Sequence, residues 1–123
     1  MRSTNGAWRA GALVMGALLL AGSPAAAEPA VGAGVGTYSC SEFTRASASD
    51  EARELLYFSW AQGWMTAWDL DQMQAGKPTR DLSRPSVPDQ RAFLSKWCAS
   101  HPAELYMKGV YELYLTLRPI PTK

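Results

Sequence analysis

The segment from Asp50 to about Ala75 constrains the fold more than any other part of the chain. It contains no proline, opens with a capping residue and the first-turn acids Glu51 and Glu54, and meets a stop at Gly76-Lys-Pro78. These features predict one long helix. A helix of this length needs partners along most of its surface, and so it sets the architecture of everything that packs around it.

Apolar and small residues recur along this helix at steps of three and four. The row expected to form the inner face is Leu56, Trp60, Gly63, Ala67 and Leu70. Two further apolar rows are Trp60, Trp64 and Trp68, and Phe58, Ala61 and Met65. A small-residue row, Ser59, Gly63 and Ala67, would let another helix approach closely. Together they cover well over half the circumference, which predicts burial on several sides, either inside a bundle or partly against another chain.

The remaining segments also read as helices. Ser39 and Glu42 form a capping box for a short N-terminal helix, which the Ala46–Ser49 stretch is expected to break. After a loop, Ser86 caps a helix through Cys98 that His101-Pro102 interrupts. A last helix is expected from Pro102 to about Leu117. Because no segment alternates with a period of two, the predicted fold is all-α: a small four-helix bundle, three long helices plus a short N-terminal one.

The first 27 residues have the three parts of an export signal. Arg2 and Arg9 precede an apolar run at 10–22, and an Ala-x-Ala exit ends at Ala27. The run is shorter than the ~20 residues that span a bilayer, so we expect cleavage and a periplasmic protein free of the membrane. The expected organisation is a signal peptide at 1–27, a flexible leader at 28–36, one helical domain at 37–118 and a C-terminal tail at 119–123.

Both cysteines, Cys40 and Cys98, lie in the part that remains after cleavage. In an oxidising compartment, two cysteines without a Cys-x-x-Cys spacing or a histidine cluster predict one disulfide. Closing the loop between Cys40 and Cys98 stabilises the folded chain by roughly 4 kcal/mol in the chain-entropy model. That is a large contribution for a core this small.

Composition and motifs exclude several function classes. The chain has 12 basic and 11 acidic side chains, a balance that argues against nucleic-acid binding. It lacks phosphate-loop, metalloprotease and nucleophile-elbow motifs. His101, the single histidine, is placed to cap or link helices. The acidic pairs Glu51 with Glu54 and Asp69 with Asp71 fit a helix start and a solvated helix end. We therefore expect no catalytic, metal or cofactor site and no enzyme activity.

The aromatic residues are the strongest local signal. Trp60, Trp64 and Trp68 fall within nine residues, with Met65 and Phe58 on neighbouring positions. They are expected either to fill the bundle core or to form a surface that binds client proteins or a second copy of the chain; a ligand pocket is a third interpretation.

The order of residues resembles the small periplasmic acid-stress chaperones HdeA and HdeB. The resemblance rests on Tyr38-Ser-Cys-Ser-Glu-Phe43, on Trp60-Ala-Gln-Gly63-Trp64 in a central helix, and on Trp97-Cys-Ala-Ser-His-Pro102 before the last helix. It implies a four-helix fold with a Cys40–Cys98 bridge, a dimer at neutral pH, and a partly unfolded monomer that binds unfolded clients in acid. Few lysines and more tryptophan set this chain apart from that family.

Charge arithmetic is consistent with an acid response. The 96 residues after Ala27 carry a formal side-chain charge of −1, which becomes +11 once every carboxylate and His101 is protonated at about pH 2. Repulsion of that size would separate subunits and expose aromatic faces.

A second resemblance is to the Tai-type periplasmic immunity proteins that neutralise secreted cell-wall amidases. It rests on Trp60-Ala-Gln-Gly63 followed by Asp69, and on His101-Pro-Ala-Glu104 before a final amphipathic helix. Those proteins tend to carry additional cysteines that this chain lacks. The resemblance implies a protein that blocks one partner enzyme with a specific surface.

Overall fold

A computed structural model describes residues 32–122, and four helices make up most of it. They are α1 (Cys40–Ser49), α2 (Glu51–Gln74), α3 (Val87–Ser100) and α4 (Tyr106–Thr116). A short 3-10 helix, Gly34–Thr37, precedes α1. Two-residue strands, β1 (Thr79–Arg80) and β2 (Pro119–Ile120), pair antiparallel. The described part is therefore mostly helical, as predicted, with one small strand pair that the sequence did not indicate. The predicted signal peptide at 1–27 lies outside the described residues.

The predicted caps start the first three helices. At α1, the Ser39 backbone N–H donates to Glu42 Oε2 at 2.7 Å and the Glu42 N–H donates to Ser39 Oγ at 3.3 Å. Asp50 Oδ1 accepts from the second backbone N–H of α2, and Ser86 Oγ accepts from the Asp89 N–H of α3. Each side chain satisfies a backbone donor that has no partner inside its helix, which fixes where that helix begins.

Two predicted helix boundaries are wrong, the end of α1 and the start of α4. α1 continues through Ala46–Ser49, since Ser47 and Ser49 turn their hydroxyls onto helix carbonyls; the extended backbone of Asp50 ends it instead. α4 begins at Tyr106 rather than Pro102. The backbone before α4 does not form helical hydrogen bonds; instead, the carbonyl of Glu104 accepts from the Cys40 N–H at 2.7 Å. This hydrogen bond holds the segment that precedes α4 against the N-terminus of α1.

The core lies where the four helices meet and where the disulfide joins two of them. The Cys40–Cys98 bridge, confirmed here, ties the first residue of α1 to the last turn of α3. Large side chains that are almost fully buried come from every helix: Phe43, Met65, Leu94, Tyr106, Leu113. Burying each of them stabilises the fold by roughly 1.5–3 kcal/mol relative to exposure.

The predicted inner face of α2 is wrong. Leu56 is 65% exposed and Leu70 49% exposed, and Gly63 and Ala67 are exposed as well. The core is filled instead by a different row: Tyr57, Phe58, Ala61, Met65. Because apolar residues surround most of this helix, periodicity alone did not identify the buried side. Polar side chains of α2 that bond to other elements, such as Gln62 to Gln90, accompany the row that does face the body.

The chain is ordered beyond the predicted domain at both ends. Residues 32–37, here called the strap, belong in part to the predicted flexible leader but lie against α2 and α4. Trp60 Nε1 donates to the Ala33 carbonyl at 3.1 Å, and buried Gly36 contacts the Trp60 ring. β2 lies in the predicted tail and pairs with β1, next to the hydrogen bond from the Asp81 N–H to the Arg118 carbonyl.

Candidate functional site

Helices α2 and α4 bring four aromatic side chains together at the surface. Trp64 and Trp68 stack with ring centroids 5.5 Å apart and an interplanar angle of 12°. Tyr111 and Tyr114 meet both indoles edge to face, at centroid distances of 6.3–6.5 Å. These four residues are called the aromatic cluster. Such edge and stacked geometries contribute about 0.5–1.5 kcal/mol per pair beyond the area they bury.

The aromatic cluster has a buried base and an exposed edge. Tyr114 is buried and Trp64 half-buried, whereas Trp68 is 38% and Tyr111 39% exposed. Leu115 is also exposed, one helical turn beyond Tyr111. The exposed edge therefore includes two aromatic rings, with an aliphatic side chain one helical turn away on α4.

Hydrogen bonds fix the base of the cluster. The Tyr114 hydroxyl donates to Asp69 Oδ1 at 2.6 Å, and the Arg80 backbone N–H donates to the same oxygen at 2.9 Å. The Arg80 guanidinium lies 5.7 Å from the Tyr114 ring centroid. Burial, and next the neighbouring Asp69, raise the pKa of Tyr114 well above its usual value. Asp69 is thus a half-buried acceptor, and the sequence interpretation of a solvated helix end is wrong for it.

The predicted client or dimer residues do not form one surface. Phe58 and Met65 are buried in the core, which is a correction to their placement on a binding face. Trp60 is separated from the other two tryptophans because the strap covers it and its ring lies 6.3 Å from that of Tyr106. Of the five, Trp64 and Trp68 lie together at the surface.

Sequence reasoning missed Tyr111 and Tyr114 as partners of these tryptophans. A signal was present, because the two tyrosines are three residues apart on an amphipathic helix, and residues at that spacing share a face. The packing of α4 against α2 decides that this face meets Trp64 and Trp68, and helical periodicity carries no information about it.

Carboxylates with lowered pKa values join separate elements. The Glu54 carboxylate on α2 accepts from Arg91 Nε and Nη2 on α3, at 2.9 and 2.7 Å, and those hydrogen bonds lower its pKa. Asp81, between β1 and α3, accepts from Ser83 and from Arg118 Nη2, and these bonds lower the pKa of Asp81 in the same way. Both links are charge-assisted and both require an ionised carboxylate.

A shallow cavity of about 260 Å³ lies along the C-terminal half of α3. Trp97 and the ring of His101 stack at its edge with centroids 4.3 Å apart, and Lys96 and Phe93 complete the lining. His101 Nδ1 is 2.8 Å from the Trp97 carbonyl oxygen, which fits its expected role at the end of the helix. Within residues 32–122, no three histidine, cysteine or acidic side chains come together in a group that would hold a metal ion.

Comparison with protein-family models, with curated proteins and with solved structures gave no match. Among the helices described for residues 32–122, none combines the length and apolar character that crossing a membrane requires.

Proposed function

We propose that this chain is an exported, non-enzymatic protein that binds unfolded periplasmic proteins under acid stress, in the manner of HdeA and HdeB. The observation that carries the proposal is the partly exposed aromatic cluster, held in a small disulfide-bonded fold whose helices are joined by carboxylates. The resemblance of the sequence to that family and its N-terminal export pattern support the same interpretation.

The aromatic cluster is suited to binding other proteins. Tryptophan and tyrosine dominate the residues that carry binding energy in protein interfaces, because they supply a large area at low cost in conformational entropy. Trp68 and Tyr111 present exposed ring surface while their neighbours fix their orientation. An unfolded client offers the apolar side chains that such a surface would bury.

Acid would loosen the surroundings of this surface in a defined way. A carboxylate whose pKa is lowered on folding stabilises the fold above its ordinary pKa, and that contribution disappears as the pH falls through the lowered value. The pKa values of Glu54 and Asp81 are both lowered in the folded protein. Their protonation removes the ion pair between Glu54 on α2 and Arg91 on α3 and the ion pair between Asp81 and Arg118. The disulfide does not titrate, so the loosened chain stays compact while more apolar surface becomes available.

The test is suppression of the aggregation of an acid-labile reporter enzyme, at neutral pH and at about pH 2. We expect suppression in acid that is strongly reduced in Trp68→Ala and Tyr111→Ala. Val87→Ala, which shortens an exposed apolar side chain at the start of α3, is the matched control and should act like the wild type. A chain that stays folded at about pH 2 and suppresses nothing would rule out the chaperone function.

An immunity or inhibitor protein directed at a secreted cell-wall-degrading enzyme is the second candidate. The observation that favours it is that the aromatic cluster is held in one arrangement, because the hydrogen bond from the Tyr114 hydroxyl to Asp69 fixes the orientation of Tyr114. A preorganised aromatic surface binds one partner tightly because little conformational freedom remains to be lost. Stoichiometric binding of one such enzyme at neutral pH, abolished by Trp68→Ala, would favour this function over the chaperone.

A further inference from the structure

The side chains of α2 and α4 pack along a line, here called the seam, that is defined by its aromatic pairs: Trp60 with Tyr106 at one end, and Trp64 and Trp68 with Tyr111 and Tyr114 at the other. The strap lies against both helices at the Trp60 end. The other end is the aromatic cluster, whose edge is exposed. The chain therefore covers one end of the seam with its own strap and leaves part of the other end open.

The strap contacts the seam through its backbone and its small residues. The indole N–H of Trp60 donates to the backbone carbonyl of Ala33 at 3.1 Å, and such a carbonyl is present in every peptide. Gly36 is buried against the Trp60 ring, where an added Cβ would overlap ring atoms. Val35 is half-buried against the core, so the seam accepts an aliphatic side chain at this point. These contacts select small and aliphatic residues and do not require one sequence.

Few interactions hold the strap in place. Within residues 32–122, the hydrogen bond from Trp60 is the only one that joins the strap to the helices. Three of the six strap residues are glycines, which lose more conformational freedom on ordering than any other residue. The firm attachment begins just after the strap, where the Tyr106 N–H donates to the Tyr38 carbonyl at 2.8 Å. The strap can therefore leave the seam while the rest of the fold is kept.

We propose that the seam is a binding site for apolar polypeptide segments and that the strap is a built-in competitor, which occupies the Trp60 end until a partner segment displaces it. The proposal rests on the proposed function in taking an unfolded chain as the partner. The exposed edge of the aromatic cluster gives that chain its first contact, and displacement of the strap adds Trp60 to the site. The apparent affinity is the intrinsic affinity multiplied by the fraction of molecules whose strap is released.

This control is separate from the acid response. The strap contains no ionisable side chain, so protonation in acid acts on other parts of the fold. The ion pairs of Glu54 and Asp81 join α2, α3 and the strand region, and they remain intact at neutral pH. A chain whose strap is displaced should therefore bind unfolded protein at neutral pH, without any loss of those ion pairs.

The test is the dissociation constant, from fluorescence anisotropy, for labelled α-lactalbumin that has been reduced and carboxymethylated so that it stays unfolded at neutral pH. Gly36→Val places a side chain where the Trp60 ring lies. Gly34→Val places a β-branched residue at a backbone φ of 74°, a conformation that such residues rarely adopt. Both variants should bind the probe about tenfold more tightly than the wild type. Ala33→Val adds the same side chain at an exposed strap position and is the matched control, which should act like the wild type.

A double variant locates the added binding. Trp60→Ala combined with Gly36→Val should return the affinity to that of the wild type, because the ring that the strap had covered is then missing. Helical circular dichroism checks that each variant is folded, and Gly34→Val, at an exposed position, keeps the test decisive if Gly36→Val does not fold. Affinities of the folded variants equal to that of the wild type, or a gain that survives Trp60→Ala, would overturn the proposal. Suppression of aggregation in acid without this gain would refute the competing strap alone, whereas the gain without suppression would refute the chaperone function alone.

Discussion

Replacing Glu54 with glutamine isolates the charge that joins α2 to α3. The carboxylate accepts two hydrogen bonds from Arg91, and the side chains of Glu54 and Arg91 are 19% and 22% exposed. Hydrogen bonds to charged groups contribute about 1.5–3 kcal/mol, and the substitution also leaves the Arg91 charge partly buried without a counter-charge. We expect the free energy of unfolding to fall by about 2 kcal/mol, which lowers the melting temperature of a domain this size by roughly 8–16 °C.

Glu51→Gln is the matched control for that substitution. Glu51 also faces Arg91, but at 3.7 Å and with 78% of its side chain exposed, so water screens the interaction. We expect a change of less than about 0.5 kcal/mol in this variant. Urea unfolding followed by circular dichroism measures both variants under identical conditions.

The pH dependence of the same pair checks the electrostatic cause. The pKa of Glu54 is lowered from its ordinary 4.5, so the stabilisation is complete well above that pH and is lost as the pH falls through the lowered value. The difference between wild type and Glu54→Gln should therefore close progressively in acid. Equal losses in the two glutamine variants, or a difference that persists after the carboxylate is protonated, would refute the reasoning.

Three further predictions concern the interior. Replacing Cys40 and Cys98 together with alanine should lower stability by roughly 4 kcal/mol, the loop-closure value for the 58-residue separation; thermal unfolding that matches the wild type would contradict it. Tyr106→Phe should leave stability unchanged or raise it by about 1 kcal/mol in calorimetry, since the buried hydroxyl has no hydrogen-bond partner within residues 32–122; a marked loss would show that it has one. Gly36→Ala should displace the strap from Trp60 and cost about 1–3 kcal/mol, with a red shift in tryptophan fluorescence; an unshifted spectrum would mean that the strap tolerates the methyl group.

Local chemistry determined much of this fold. A side chain that bonds to a backbone N–H within three residues acts through contacts inside one short segment, and so Ser39, Asp50 and Ser86 mark helix starts that the sequence alone shows. The Cys40–Cys98 bridge was equally predictable, because a chain with two cysteines has a single possible pairing within itself.

Tertiary packing decided what local chemistry left open. α2 is apolar on nearly every side, so its sequence is compatible with several buried faces. The packing of α1 and α4, together with side-chain hydrogen bonds from α3, selected the face that contains Phe58 and Met65. The same packing left Leu56 and Leu70 exposed to water. It placed Trp60 under the strap and Trp64 and Trp68 in the aromatic cluster. The late start of α4 and the strand pair arise in the same way, because their hydrogen bonds join residues far apart in the chain. The sequence alone determined where the first three helices begin and which cysteines pair, whereas only the assembled structure decided where α4 begins and which faces are buried.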